Sequence, residues 1–538
     1  MTRQTLHRQL EASLNGESST RFWVRQAQNS QHGEFVSNLV LVVAARTKQP
    51  VAQVAQRLIE QLSWMGSLEE RKGFLNFRMN DETLRSTVEA ALAQGEGFGA
   101  GSSLQNRRVI VEFVSADPSG PLPFALSRMA AVGDAICRLL ALQGAGVTRE
   151  FYLNDDETSA KTKLLGESVA SHYLTILGQP HEPPEGMLDD AFVRSLAEQI
   201  AQRDGSAHLL MSDEERAARF AHQAVESAVQ MQKNALNRFG VRFDVWTSEA
   251  ALKRENRVEN AIAKLREGGL LYERDGAQWL QTSKFGDEAD RVLVRANGRP
   301  TYLASDIAYH VFKAERGFDL LLNIWTGEHR PYVERTRAAL ASAGCDAEKF
   351  EVTPCEGARF LKDGRPVSRG KSGGAWSLED ALDELDGDTL KFFLLRQNAD
   401  ERVAIDDEIA RRDDETNPAY AARLLPSRLQ TMIAQMQAMP QAMPNASAES
   451  DNADIEYSNE EREVVRLVAL WPDTAENAAL ERAPHRVAAF LSDMSQAVRD
   501  VLKTSRPNAP AASIDVLKAA LVVSQNALHV LGMSGAKI

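Results

Sequence analysis

Cysteine is scarce in this chain: Cys137, Cys345 and Cys355 are the only 3 in 538 residues. So few and so scattered, they exclude a disulfide framework. No CxxC pair occurs, and the histidines show neither HExxH nor CxxC…HxxxH spacing, so no metal site is assigned. Long apolar runs are missing too. The longest, Leu39 to Ala45, falls far short of the roughly 20 residues that span a bilayer. The opening MTRQTLHRQL lacks the apolar stretch of a secretory signal. These absences point away from a membrane and toward a cytoplasmic protein. There is no surplus of positive charge either, since Lys+Arg 62 against Asp+Glu 75 leaves a formal −13. That argues against a DNA-wrapping protein, while a local basic patch can still meet another polyanion.

What is present is ordinary globular material, 43% hydrophobic and 25% charged. The length suits several domains of about 150 residues each. Residues 1–105 read as a small α+β domain, with helical spacing over 32–62 and strand-like alternation over 72–79. The turn-rich stretch 95–103 closes it. Residues 106–395 read as α/β: a buried strand (109–114), a Pro/Gly loop (117–123), a helix from Pro123 to Gln143 and a second strand (147–153). Strand, helix, strand at this spacing is a parallel βαβ unit, whose functional groups gather beyond the strands' carboxyl ends. Ser115 to Pro123 and Asn154 to Glu157 would line that crevice. A mainly helical, acidic insertion is expected at about 160–290. Residues 396–538 read as a helical bundle interrupted by a polar loop, Met436 to Asp454.

In order along the chain stand HGEFVSNLVLVVAA, VEFVSADPSGPLPFALSR, VTREFYLNDDE, GVRFDVWTSEAAL, DGAQWLQTSKFGDEADRVLVRANGRPTYLASDIAYH, KFFLLR and NPAY. These resemble the successive signatures of bacterial arginyl-tRNA synthetases, collinearly and over nearly the whole chain. The resemblance implies an α/β, class I synthetase Rossmann-type catalytic domain with an N-terminal α+β domain and a C-terminal α-helical bundle that holds the anticodon stem. It also implies a two-step chemistry. Arginine attacks ATP to give arginyl-adenylate, and the arginyl group then moves to the tRNA 3′ end.

Both nucleotide motifs of that family are altered here. Where the family has P-L-H-V-G-H, this chain has Pro121, Leu122, Pro123, Phe124, Ala125, Leu126. Pro123 and Leu126 replace the two histidines that contact the ATP phosphates, and Ala125 adds a methyl group where adenine would pack. Neither Pro nor Leu can donate a side-chain hydrogen bond, so the resemblance implies that ordinary adenylation is lost. Pro123 also suits a helix's first turn, with Phe124 and Leu126 simply packing. Where the family has K-M-S-K, Lys371 stands at the last lysine, and Arg369 and Gly370 replace Met-Ser. Lys371 and Arg369 would be phosphate contacts, or else a solvated basic loop. GRPVSRGKS is not a P-loop, because five residues separate Gly364 from Gly370 where four are required. The sequence fixes no cofactor; ATP with Mg is implied by the resemblance and opposed by these substitutions.

The amino-acid pocket matches better. The resemblance assigns arginine binding to Ser115, Asn154, Asp155, Tyr302 and Asp306, with Asp306 on the guanidinium. Tyr302 and Asp306 could also be a helix start, the tyrosine packed and the aspartate solvated. Where the resemblance has an asparagine near the substrate's α-amino group this chain has Asp117, which either favours a cation there more strongly or signals a different ligand. In WTGEHRPYV, Glu328 replaces an acidic residue, while His329 and Arg330 alter the charge near the adenosine site. The RNA-facing NPAYAARLLPSR (417–428) lacks two tyrosines, a glutamine and a histidine of the family pattern, which implies weakened tRNA binding. Pro426 is expected to disturb its helix. The partner expected first is therefore arginine or a related amino acid, with neither membrane nor DNA. The resemblance leaves three functions open: an enzyme turned to a different acyl-transfer or ligase-type reaction, an arginine sensor or tRNA-binding regulator, and a working ligase with a rebuilt ATP site.

Overall fold

The computed structural model describes residues 3–14, 22–27, 33–156, 158–370, 374–438, 457–504 and 511–535. Two compact units emerge, Leu104–Asn417 and Met1–Ser103 with Pro418–Ile538.

The Leu104–Asn417 unit is built on five parallel strands: β1 (Arg108–Glu112), β2 (Gly146–Leu153), β3 (Val245–Ser248), β4 (Leu320–Trp325) and β5 (Phe350–Pro354). Their order is β5-β4-β1-β2-β3. Strand order reverses at β1, so the switch-point crevice opens beyond the carboxyl ends of β1 and β4. Val109, Ile110 and Val111 are fully buried, as a continuous β-branched run must be in a sheet covered on both faces. Helix α1 (Phe124–Leu142) connects β1 to β2 and is buried over most of its surface. Gly133 allows its close approach to the sheet, since a Cβ there would lie 2.3 Å from the Phe113 ring.

Helices α2 (Ala160–Ile176), α3 (Ala191–Asp204) and α4 (Asp213–Arg238) follow β2 and share a core around Tyr173 and Phe220. A capping box of Ser212 and Glu215 starts α4. The segment 160–290 is mainly helical, as expected, and also carries strands that the expectation did not name. It contains β3, which pairs with β2 in the central sheet, and most of a three-stranded antiparallel sheet, Leu271–Arg274, Ala277–Leu280 and Arg291–Val294. Helix α5 (Tyr302–Glu315) leads into β4, and α6 (Tyr332–Ser342) follows it. The unit also runs past the expected limit at 395. Val403–Asp406 pairs in parallel with Ala358–Lys362, burying Val403 and Ile405, which ties the chain to this unit as far as Asn417.

In the second unit, strands Val24–Gln26, Phe35–Ser37, Phe74–Met79 and Gly66–Arg71 form an antiparallel sheet in that spatial order. Leu75, Phe77 and Met79 share its buried face. The expected helix over 32–62 is instead a strand and two helices, Leu39–Thr47 and Val51–Leu62, broken at Lys48 (φ 56°) and Pro50. Four helices, Pro418–Ala438, Asn459–Leu480, His485–Thr504 and Ala511–Val530, make the bundle. The helix Asp81–Gln94 packs against it. Its exit is fastened by Trp471 Nε1 donating to the Phe98 carbonyl at 2.9 Å and Asn526 Nδ2 donating to the Gly95 carbonyl at 3.0 Å. Pro426 does not break its helix, which continues through it. Of the loop expected at Met436 to Asp454, residues 439–454 lie outside the described residues. Among the described residues no helix is long and apolar enough to cross a membrane.

Candidate functional site

The floor of the crevice is a buried polar network at the ends of the central strands. Glu112 ends β1, and Asn323 of β4 and Glu150 of β2 lie beside it in register. Lys313, fully buried on α5, donates to Glu112 Oε2 and to Asn323 Oδ1, both at 2.9 Å. Asn323 Nδ2 donates to the same carboxylate at 2.6 Å. Arg316 donates to Glu150 at 2.8 Å, and the Thr247 hydroxyl adds a further bond. Two carboxylates side by side would repel, and each has its own cation. Burial raises the Glu112 pKa, but the Lys313 ammonium and the hydrogen bonds outweigh it, leaving the group below its ordinary value.

From this floor α5 rises as one wall. Tyr302, Asp306, Tyr309 and Lys313 are spaced four, three and four apart, which aligns them on one helical face. Tyr302 stands 64% exposed at the mouth, ruling out a packed tyrosine. Tyr309 is buried deeper and stacks on Tyr152 of β2 at 4.2 Å. Asp306 lies between them. Asp306 is exposed, as the solvated alternative has it, although protein atoms crowd around its carboxyl group. Burial, then the charges of Glu249 and Glu112, push it up to about 7. Among the described residues the buried Tyr152 hydroxyl has no hydrogen-bond partner, and it lies in the field of Glu249, Asp306, Glu112 and Asp155. His310 is held neutral, its pKa lowered to about 3 by burial and by Lys313. These carboxylates and the Tyr152–Tyr309 stack make an acidic, aromatic-flanked well whose chemistry suits a planar, delocalised cation that can donate several hydrogen bonds at once.

At the mouth the sequence-assigned residues take different parts. Val114 (φ 71°) and Ser115 (φ 42°) turn the chain sharply out of β1, a conformation rare for a β-branched residue. Ser115 Oγ donates to Glu112 Oε1 at 3.0 Å and accepts from the Tyr152 amide at 3.2 Å, so it braces the turn. Asp117 accepts from Asn154 Nδ2 at 3.2 Å and pairs with Lys161 at 2.7 Å. Gln232 of α4 donates to the Asp117 and Gly120 carbonyls, both at 3.0 Å, fixing that loop. Asp155 turns aside: it accepts from Ser248 Oγ at 2.6 Å and the Ala250 amide at 2.9 Å, capping the short helix Glu249–Arg254. Asp156 and Glu249 share Lys253 at 2.8 and 2.9 Å. Glu157 lies outside the described residues.

On the other side of Asp117 is a cavity of about 290 Å3. Pro123 and Leu126 line it, with Phe192 from the first turn of α3. Its charged lining side chains among the described residues are Asp117 and Asp190, both acidic. Ala125 faces Gly357, where an added Cβ would sit 3.5 Å from the alanine methyl. Trp376 and Leu378 are fastened to the start of α1: the Phe124 amide donates to the Trp376 carbonyl at 2.9 Å and the Leu378 amide to the Leu122 carbonyl at 2.8 Å. Phe124 and Trp376 both pack on Phe360. Phe124 is therefore core, as its packing alternative required, whereas Pro123, Ala125 and Leu126 face the cleft. Arg369 is exposed and bridges to Ala375, and Lys371 lies outside the described residues. Glu328 and His329 are exposed beyond β4, with His329 Nδ1 2.8 Å from Thr326 Oγ1. Ser119 and Ser377 also line the cavity, so among its described lining residues an anion meets two hydroxyl side chains, two carboxylates and no cation. Among the described residues no cluster of His, Cys, Asp or Glu is arranged to hold a metal ion.

Asn417, assigned to the RNA-facing pattern, is buried and donates to the Ala410 and Arg412 carbonyls at 2.9 and 3.0 Å. Sequence reasoning missed Glu112, Tyr152, Lys161, Glu249, Tyr309 and Lys313. Two signals were available: a glutamate closing an otherwise apolar strand, RVIVE, and the polar stripe 302-306-309-313 along an apolar helix.

Comparison with known proteins gives a collinear result. The family model described as "tRNA synthetases class I (R), catalytic domain" matches residues 87–416. "Arginyl tRNA synthetase N terminal domain" matches 2–79, and "DALR anticodon binding domain" matches 427–536. A protein of Geobacillus kaustophilus named arginine–tRNA ligase is 32% identical over 522 residues, 94% of this chain and 92% of that one. Another so named, from Desulfitobacterium hafniense, is 30% identical over 545 residues, covering 99% and 97%. The solved arginyl-tRNA synthetase of Thermus thermophilus superposes with a TM-score of 0.74 over 100% of both chains at 20% identity, a likeness of fold.

Proposed function

Because this chain belongs to the arginyl-tRNA synthetase family, we propose that it binds arginine or a related guanidino amino acid in the well above Glu112. In this reading it is a divergent, cytoplasmic paralogue with degraded nucleotide motifs. Ordinary ATP-dependent arginylation of tRNA has been lost, and the site serves a different acyl-transfer or ligase-type reaction. One contrast carries the reading. The Asp306 well keeps its carboxylates and aromatic walls, whereas the adjoining cavity meets an anion with Pro123, Leu126, Phe192 and two aspartates.

The chemistry follows from that contrast. A guanidinium entering the well brings a cation to Asp306, and the Tyr152 hydroxyl gains a donor. Transfer at the α-phosphate of ATP needs donors aimed at the developing charge, and removing one costs about 2.7–4 kcal/mol. Two such donors are absent at 123 and 126. With two tyrosines, the glutamine and the histidine of the family pattern replaced within residues 417–428, tRNA binding is weakened in this reading.

Calorimetric titration with L-arginine tests it. The wild-type chain binds with heat that Asp306→Ala abolishes; no heat at millimolar arginine overturns the reading. A working arginine–tRNA ligase is a second reading, favoured by full-length likeness to proteins so named, and charging of bulk tRNA with labelled arginine would establish it. An arginine sensor or tRNA-binding regulator shares the well but has no turnover.

A further inference from the structure

We propose that Lys161 holds the α-carboxylate of the bound amino acid opposite Asp117 at its α-ammonium, the two side chains forming a clamp for a zwitterionic head group. This rests on the reading of the well as an amino-acid site. Lys161 Nζ and Asp117 Oδ2 lie 2.7 Å apart at the mouth, with Lys161 79% and Asp117 41% exposed. An exposed pair of this kind contributes little to stability, so it is free to exchange partners. An amino-acid head group carries the same two charges on adjacent atoms. It can take an ammonium to Asp117 and a carboxylate to Lys161 and leave no charge unpaired.

The clamp is held in place from both sides. Asp117 is oriented by Asn154 and by the Gln232 bond to its carbonyl. Lys161 stands on the first turn of α2, which Ser159 caps by accepting from the Thr162 amide at 3.1 Å. The Tyr302 hydroxyl lies within electrostatic reach of the Lys161 ammonium. That sets the clamp on the Tyr302 side, one helical turn above Asp306. A guanidinium at Asp306 with its methylene chain extended places the head group at this mouth. An ammonium on the carboxylate also draws off the lone pairs that attack on phosphorus would use. A ligand whose carboxylate is capped loses Lys161 as a partner, and its ammonium competes with Lys161 for Asp117.

Titration of the full chain with L-arginine and L-argininamide, which differ at the carboxylate alone, tests the clamp. Wild type binds arginine about tenfold more tightly, the range of one hydrogen bond to a charged group. Lys161→Met binds the two within about twofold and holds argininamide at least as well as wild type does, since Asp117 is released. Lys161→Arg keeps the preference. Wild-type binding without preference, or equal loss of both ligands in Lys161→Met, overturns the clamp and leaves the amino-acid reading standing. Failure of wild type to bind either ligand overturns both.

Discussion

Asp306 sets a pH dependence that can be worked out before it is measured. Its carboxyl is pushed up to about 7 by burial and by Glu249 and Glu112, and a guanidinium needs it ionised. The ionised fraction then rises from roughly one-tenth near pH 6 to nine-tenths near pH 8, so arginine affinity climbs about tenfold, about 1.4 kcal/mol. His310 titrates near 3, Glu112 sits below its ordinary value, and Tyr152 and Tyr309 lie well above theirs. Equilibrium dialysis with labelled arginine between about pH 6 and pH 8 gives the slope, and Asp306→Asn supplies the flat control. Stability runs the other way. A carboxyl whose folded pKa exceeds its unfolded one holds its proton more tightly when folded, so stability falls as pH rises from about 4 to 7. The full shift corresponds to about 4 kcal/mol; water at the mouth screens it to about 1–2 kcal/mol. Asp306→Asn should therefore melt higher than wild type at pH 8 while binding arginine at least tenfold less well. An affinity independent of pH, or a variant that melts lower, would refute the reasoning.

Other outcomes follow from the packing. Lys313→Met leaves Glu112 buried without its cation and should destabilise the chain by about 3–5 kcal/mol in denaturant titration. Adding Glu112→Gln should recover much of that loss. Gly133→Ala drives a methyl group into the Phe113 ring and should cost about 1–3 kcal/mol, although alanine is the better helix former by about 1 kcal/mol. Phe113→Leu in the same chain should relieve it.

The βαβ frame was legible because its signals are local. A β-branched run makes β1, a proline starts α1, and paired glycines end it, so the observed limits fall within a residue or two of those expected. The misreadings share a different cause. Val245–Ser248 is four residues long and becomes a strand through pairing with β2, which no local pattern announces. Val403–Asp406 likewise joins the Leu104–Asn417 unit through a distant partner, Ala358–Lys362. Pro426 is tolerated because the bundle holds its helix from outside. At the site, residue type showed which groups could face a cation but not their occupation. Asp155 was chosen correctly as a carboxylate near the crevice and turned out to cap a helix. Lys161 carried no motif and stands beside Asp117.

The central claim is that the guanidinium well persists while the nucleotide chemistry has gone. Arginine-dependent exchange of labelled pyrophosphate into ATP, measured with bulk tRNA present on protein shown to bind arginine, tests this most directly. The account predicts exchange indistinguishable from the protein-free background for the wild-type chain. Exchange that requires arginine and disappears in Asp306→Ala would contradict it, and would make the chain a working arginine–tRNA ligase with a rebuilt nucleotide site.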